Sequence, residues 1–337
     1  MAYSARTLRI IVASVVALVM VGSSYALSGP VSFLGINVAD AQTSAELLRE
    51  YAAKDSDTDN LPDWQEALYG TDPYNAESFQ AGIKDGEAVA QGLITPKVQV
   101  AAAPEATDLA TVPGTAGSPN SLTDLFAQTL LKQYLTNRGE TPPTNAEIAD
   151  FVEEGIATLV KTSSPVDTYA LKDIQTSGST GPLALKAYLA SVENAFAVNT
   201  IPSEKNELLY FSDAMNGDAT ALPHIRDISS AYKDIATAML KIPVPTEARQ
   251  AHLRIVNALA GMSTITADMG AMEGDPLRAL MGIGLYERQA NGMVDAFASL
   301  DAQLIASQIV VTEGESGYAI FKTAKDGTTV RAERAAQ

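Results

Sequence analysis

Apolar residues recur with a period of about 3.6 from residue 121 to residue 311, and this period constrains the fold more than any other feature. Ser121 with Asp124 begins a first helix, the capping box of residues 144–147 begins a second, and Pro182 stands where the first residue of a third is expected. Further helices are predicted over 203–215, 221–241, 247–272 and 276–311. No strand-like alternation competes with this period. The sequence therefore predicts an all-α fold with a multi-helix bundle, whose last two long helices form an antiparallel hairpin.

The composition excludes several classes of protein. The chain has 337 residues, 46% of them hydrophobic, which is enough to bury a core. It has no Cys, and therefore no disulfide, no thiol nucleophile and no Cys-ligated metal. Its 23 basic and 40 acidic residues give a net charge of -17, which repels phosphate backbones and favours cations and basic partners. No nucleic-acid partner is expected.

Residues 1–41 have the pattern of an export signal. Two arginines precede the apolar run Ile10–Val21, and no further charge occurs before Asp40. Small residues suit cleavage after Ala26 or after Ala41. The alternative is an uncleaved membrane anchor, because an apolar stretch of this length approaches the roughly 18 to 20 residues that span a bilayer. Both interpretations place the rest of the chain outside the cytoplasm, either secreted or anchored to the cell membrane.

Residues 55–66 read Asp-Ser-Asp-Thr-Asp-Asn-Leu-Pro-Asp-Trp-Gln-Glu, with carboxylates at positions 1, 3, 5, 9 and 12. This is the ligand spacing of an EF-hand calcium loop, in which alternate residues of a curved loop direct oxygen atoms at one cation. The expected metal ligands are Asp55, Asp57, Asp59, the Leu61 backbone carbonyl, Asp63 directly or through water, and both oxygens of Glu66. Asn60 occupies position 6, where the turn needs a positive φ that Gly usually supplies and Asn tolerates. The alternative is an acidic, solvated turn without a metal.

The residues around this loop predict a helix on each side of it. The capping box of residues 43–46 precedes one apolar helical face, and Gly70 and Pro73 end the helix that carries Trp64. The segment resembles a family of bacterial surface repeats related to thrombospondin type 3 repeats, in which the loop is followed by Gly-Thr-Asp-Pro, as in residues 70–73 here. The resemblance covers about 30 residues and implies structural calcium, often in tandem repeats. No second loop is expected, because residues 75–78 do not restart the Asp alternation.

Composition also predicts how the chain divides. Residues 43–92 form the EF-hand-like module, with one more helix over 76–92. Residues 93–120 are rich in Ala, Thr, Pro and Gly without periodicity, which favours a flexible linker. The bundle follows over 121–312, and residues 313–337 are expected to form a C-terminal tail that holds a small hairpin or frays.

The sequence contains no recognisable catalytic motif. His224 and His252, the only histidines, have no Ser or carboxylate partner at a known spacing, and a surface or helix-packing position explains them better. Asp268, Glu273 and Asp275 suit the start of the helix at Pro276. Nucleophile-elbow, phosphate-loop and zinc-protease patterns are missing from the sequence, so the chain is not expected to be an enzyme.

These observations favour an exported, calcium-stabilised bacterial protein of the cell surface or the medium. It would have a structural or interaction role with a protein partner, as a component of an envelope assembly in one version of this hypothesis. Membrane contact is expected only through the N-terminal segment, if that segment is uncleaved. The alternative is a cell-wall-active hydrolase whose two carboxylates meet only in the folded protein.

Overall fold

The computed structural model describes residues 38–94, 144–162, 167–201 and 203–336. These residues are helical and contain no strand apart from isolated bridges, so the predicted all-α fold is confirmed. The export signal up to residue 37, the predicted helix at Ser121 and nearly all of the predicted linker lie outside the described residues. None of the described helices has both the length and the apolar character that crossing a membrane requires.

The helices of the described residues are numbered in chain order. They are α1 (Val38–Ala52), α2 (Asp63–Tyr69), α3 (Asp85–Ala90), α4 (Asn145–Thr162), α5 (Pro182–Asn199), α6 (Glu207–Met215), α7 (Ala221–Met239), α8 (Arg249–Met269), α9 (Pro276–Ala306) and α10 (Tyr318–Ala335). The chain divides into two units. Of the described residues, the loop unit contains those of 42–166 and 268–285, and the bundle unit contains those of 38–41, 167–267 and 286–336.

Helix α4 belongs to the loop unit and begins as the sequence predicts. The Thr144 hydroxyl accepts the Glu147 backbone N–H at 3.3 Å, and a Glu147 carboxylate oxygen accepts the Thr144 N–H at 2.7 Å, which is a capping box. Arg49 of α1 forms ion pairs with Asp150 and Glu153 of α4. The end of α1 and the start of α4 are therefore tied together at the surface of this unit.

The bundle unit has an apolar core with a few buried polar side chains. Helix α5 starts at Pro182 and buries the predicted face of Leu185, Tyr188, Leu189, Val192 and Phe196. His252 is fully buried and contacts the Tyr188 hydroxyl at 3.0 Å and the Met239 carbonyl at 3.2 Å. His224 stacks on Tyr210 with ring centroids 4.6 Å apart. His252 thus lies in helix packing and His224 lies at the surface, the two positions that the sequence favoured.

Helices α8 and α9 run antiparallel. In the bundle unit the Gln289 side-chain amide donates to the Ala258 carbonyl at 3.3 Å, and Arg254 donates to Ser299 at 3.1 Å. In the loop unit Arg278 pairs with Asp268 at 2.5 Å. The residue number of the contact rises along α8 while that of its partner falls along α9. This order is that of the predicted antiparallel hairpin.

The C-terminal residues differ from the expected tail, because residues 318–335 form α10. The Glu193 carboxylate of α5 accepts the backbone N–H groups of Gly317 and Ala319, and so caps the start of α10 from another helix. Gly327 lies against the backbone of α9, where an added Cβ would approach the Val294 carbonyl oxygen to 3.1 Å. Packing on other helices therefore stabilises a segment whose own sequence is a poor helix former.

Two other elements differ from their predicted bounds. Helix α1 starts at Val38, so residues 43–46 lie inside the helix and do not cap it. No Pro or Gly interrupts residues 38–42 before them. The predicted helix over 76–92 is reduced to α3, because residues 76–83 form a loop in which Gly82 has a φ of +86°. A left-handed residue ends any helical path through this segment.

Candidate metal site

The loop between α1 and α2 brings three predicted ligands together. Oxygen atoms of Asp55, Asp57 and Asp59, one from each carboxylate, lie within 4.8 Å of one another, a spacing that could hold a metal ion. The turn forms as predicted at position 6, because Asn60 has a φ of +75°. Thr58 is also left-handed, with a φ of +61°, which is unusual for a β-branched residue. Together these two residues curve the loop around the three carboxylates.

Backbone N–H groups hold the carboxylates in place. Asp55 accepts the N–H groups of Thr58 and Asn60 at 2.9 and 3.0 Å, one on each oxygen. Asp57 accepts the N–H of Asp59 at 3.2 Å, and Asp59 accepts that of Leu61 at 2.7 Å. Asp55 Oδ1 also accepts the Asp59 N–H at 3.3 Å, and each of the other oxygens retains a second lone pair for a cation.

Glu66 is the most unusual residue of the loop. Its side chain lies on α2 with none of its surface exposed, and neither carboxylate oxygen has a well-formed hydrogen bond in the described part of the chain. Burial, followed by the charges of Asp57 and Asp59, raises the pKa of Glu66 to about 8, and the Thr71 hydroxyl offsets only part of this rise. One oxygen of Asp57, Oδ2, is likewise buried without a hydrogen-bond partner among the described residues. A protein leaves buried carboxylate oxygens unpaired only at considerable cost, which a cation would remove.

Asp63 and Leu61 occupy different positions from the three clustered aspartates. Both oxygens of Asp63 accept hydrogen bonds from Ser56, from its N–H and its hydroxyl, each at 2.8 Å, and Lys54 approaches to 3.6 Å. The structure thus uses Asp63 to fix Ser56 inside the loop. The Leu61 side chain is buried beneath the loop. The roles of the Asp63 carboxylate and the Leu61 carbonyl as ligands stay predictions, and Glu66 lies outside the 4.8 Å cluster.

Two hydrogen bonds join the helices on either side of the loop independently of any ion. The Asp63 N–H donates to the Lys54 carbonyl at 2.9 Å, which closes the loop at its base. The Trp64 indole N–H donates to the Ala52 carbonyl at 2.9 Å, and the ring is buried. Trp64 is the only tryptophan in the chain, so its emission reports on this joint.

Sequence reasoning missed two residues that contact the loop from α3. The Gly86 backbone N–H donates to Asp59 Oδ2 at 2.9 Å, and Lys84 donates to the Thr58 carbonyl at 3.0 Å. Burial raises the pKa of Asp59, while the N–H groups of Gly86 and Leu61 oppose the rise. A backbone donor carries no side-chain signal, and only the glycine itself hinted at a close approach.

The donor set consists of hard carboxylate oxygens without sulfur or imidazole, which suits a hard cation. Comparison with protein-family models, with characterised proteins and with solved structures finds no match to this chain. The argument for function therefore depends on the geometry of this loop.

Proposed function

We propose that residues 55–66 bind one calcium ion that holds the loop unit together, and that the chain is an exported, calcium-stabilised protein of the cell envelope. The observation that carries the calcium proposal is Glu66. It is a fully buried carboxylate without a well-formed hydrogen bond, at the position where an EF-hand loop supplies its two-oxygen ligand. A bound divalent cation would compensate its charge and those of the three clustered aspartates.

The donor types favour calcium among the common cations. Calcium accepts six to eight oxygen atoms in a flexible arrangement, whereas magnesium requires a near-ideal octahedron and retains several waters. Three aspartates on a curved loop with a buried glutamate from the following helix suit the larger ion. With one unpaired loop and Asn60 at position 6, we expect a dissociation constant of about 10⁻⁴ to 10⁻³ M, the range of extracellular modules.

The expected effect of the ion is structural. Asp55 follows the end of α1 and Glu66 lies on α2, so an ion bound to both would connect the two helices. Because only the folded loop presents these oxygens together, calcium would stabilise the folded state in proportion to its concentration. A site of such low affinity would be occupied at the millimolar calcium concentrations outside cells and would not respond to a cytosolic calcium signal.

The proposed location and role depend on the sequence. The N-terminal pattern favours export, and the net charge of -17 favours basic or cationic partners over nucleic acid. We propose that the helical bundle contacts a protein partner at the cell envelope. The hydrolase alternative gains no support from the cavity of about 520 Å³ beside α5, because the described residues that line it include Asn194, Asn199 and Lys241 but no carboxylate.

Calcium binding is tested by titrating the full-length chain and following Trp64 emission. The parent should saturate with a dissociation constant of about 10⁻⁴ to 10⁻³ M. Asp55→Asn removes the charge of a direct ligand. Loss of an outer-shell partner weakens metal binding by about 10- to 100-fold, so we expect at least this loss for Asp55→Asn. Asp72→Asn is the matched control, because Asp72 is exposed outside the loop and its carboxylate accepts the Tyr74 N–H. An EDTA-treated parent that shows no calcium response would refute the proposal.

The proposed location is tested on intact bacterial cells that carry the chain with a C-terminal epitope tag. We expect the tag in the medium, or on the cell surface where added protease removes it. A cytoplasmic protein made in the same cells is the control for lysis. A tag that stays with the cells and resists protease until they are broken contradicts export.

A further inference from the structure

The residues after α2 repeat the loop that precedes it. The Asp63 N–H donates to the Lys54 carbonyl, and the Asp85 N–H donates to the Ala76 carbonyl, both at 2.9 Å. Each partner in the second bond lies 22 residues after its counterpart in the first. The donors of these two bonds are also the first residues of the helices: α2 starts at Asp63 and α3 at Asp85.

Side chains repeat at the same displacement. Asp63 accepts the N–H and the hydroxyl of Ser56, each at 2.8 Å. Asp85 accepts the N–H and the hydroxyl of Ser78 at 3.0 and 2.5 Å. In both copies, therefore, an aspartate at the first residue of a helix fixes a serine seven residues earlier.

The turn inside the loop repeats as well. The Asn60 N–H donates to Asp55 at 3.0 Å, and the Gly82 N–H donates to Glu77 at 2.7 Å. Asn60 and Gly82 have φ values of +75° and +86°. The Asp alternation, on which the expectation of no second calcium loop relied, reports ligands and not the path of the chain, so it did not predict this turn.

The second copy has lost most of the ligands. The residues equivalent to Asp57, Asp59 and Glu66 are Phe79, Ala81 and Ala88, none of which offers a side-chain oxygen. Hydrogen bonds from Ser78 and Phe79 already occupy the buried Asp85 carboxylate. The second copy therefore keeps the turn and the helix of a metal loop without its binding set.

The start of the second copy's helix lies directly against the first loop. The Gly86 N–H donates to Asp59 Oδ2 at 2.9 Å, and a Cβ at Gly86 would approach the Asp59 carbonyl oxygen to 2.6 Å. Because real side chains do not approach backbone so closely, only glycine permits this contact. Lys84 adds a hydrogen bond to the Thr58 carbonyl at 3.0 Å.

From this geometry, and on the basis of the calcium function proposed above, we infer that residues 76–93 are a second, metal-free copy of the loop-helix that positions Asp59 for the ion. Gly86 is the positioning residue, since its N–H holds one oxygen of Asp59. Calcium binding and the docking of the second copy are then coupled, and each favours the other to the same degree.

The coupling is tested with Gly86→Ala in the full-length chain. Calcium affinity is measured from Trp64 emission, and bound calcium is counted by atomic emission after equilibrium dialysis. We expect one ion per parent chain and about tenfold weaker binding in the variant, within the range for loss of an outer-shell contact. Gly292→Ala is the matched control, because it adds the same methyl group to helix α9 with no atom within 4 Å.

A merely structural defect is separated by melting each protein in EDTA and in calcium. Coupling predicts that Gly86→Ala loses most of the calcium-dependent rise in melting temperature, whereas a general defect would lower both temperatures equally. Ser78→Ala serves as a second variant if Gly86→Ala fails to fold, because it loosens the second copy without touching the first loop. We expect it to bind about threefold more weakly than the parent, a smaller loss than that of Gly86→Ala.

Unchanged affinity in both variants, or two ions per parent chain, overturns the inference and leaves the calcium site standing. A parent that binds no calcium overturns the proposed function and this inference together.

Discussion

Replacing Glu66 by Gln is expected to stabilise the metal-free protein and to abolish its stabilisation by calcium. In the metal-free chain, Glu66 is buried beside Asp57 and Asp59 without a well-formed hydrogen bond, and its pKa of about 8 means that it ionises only at the expense of stability. A neutral amide removes this like-charge repulsion. We expect the free energy of unfolding to rise by about 1–3 kcal/mol at pH 8 in EDTA, because this is the cost of an unsatisfied buried group, which the variant no longer has.

Calcium should reverse the order of stability. At a calcium concentration 100 times the dissociation constant, the parent gains about 2.7 kcal/mol from binding to the folded state alone. The variant lacks the two-oxygen ligand and should gain almost nothing. Urea unfolding followed by Trp64 emission, in EDTA and in calcium, measures both effects.

The control for this experiment is Glu46→Gln, the same exchange at an exposed position of α1. It should melt like the parent under both conditions. If Glu66→Gln retains the calcium-dependent gain, Glu66 is not a ligand, and the ion would have to bind through the three aspartates alone.

Local patterns in the sequence predicted those elements whose stabilising contacts are also local. The capping box at Thr144 and the first residue Pro182 of α5 determine where those helices start through bonds within one turn. The positive φ of Asn60 likewise follows from the loop itself. Such features need no knowledge of the rest of the chain.

Elements stabilised by distant contacts were not predictable in the same way. Helix α10 depends on Glu193 of α5 for its cap and on a close approach of Gly327 to α9, and an interior glycine ordinarily disfavours a helix by about 1 kcal/mol. The second loop was not predicted because its path depends on Gly82 and Asp85, and these residues do not form a recognised metal-ligand spacing. At the metal site, the residues of 55–66 were predictable, whereas the contact of Gly86 with Asp59 required the folded backbone.

Calcium affinity should rise about 50-fold between pH 6 and pH 8. The ion requires Glu66 in its ionised form, but in the metal-free protein this carboxyl has a pKa of about 8 because of burial and the neighbouring aspartates. Below pH 8, each ion that binds must therefore displace about one proton, and the affinity changes about tenfold per pH unit. Above pH 8 the affinity should become constant.

The same proton has opposite consequences for the stability of the two forms. In the metal-free chain the folded-state pKa of Glu66 lies above its ordinary value of 4.5, so its contribution to stability is complete below pH 4.5 and is lost as the pH rises to about 8. In the calcium-loaded chain Glu66 is held ionised, so stability is complete at high pH and falls as acid displaces the ion. The two stability profiles should therefore converge towards acid pH and diverge towards pH 8.

Calorimetric titrations at pH 7 in buffers of different ionisation enthalpy give the number of protons released for each calcium ion, which should be close to one. Metal-free Glu66→Gln is the control for the stability profile, because without this carboxyl its free energy of unfolding should not fall between pH 6 and pH 8. An affinity independent of pH over this range, with no proton release, would mean that Glu66 is already ionised before the ion binds. The strain assigned to this buried carboxylate would then be absent, and the main argument that the loop is built around a cation would fail.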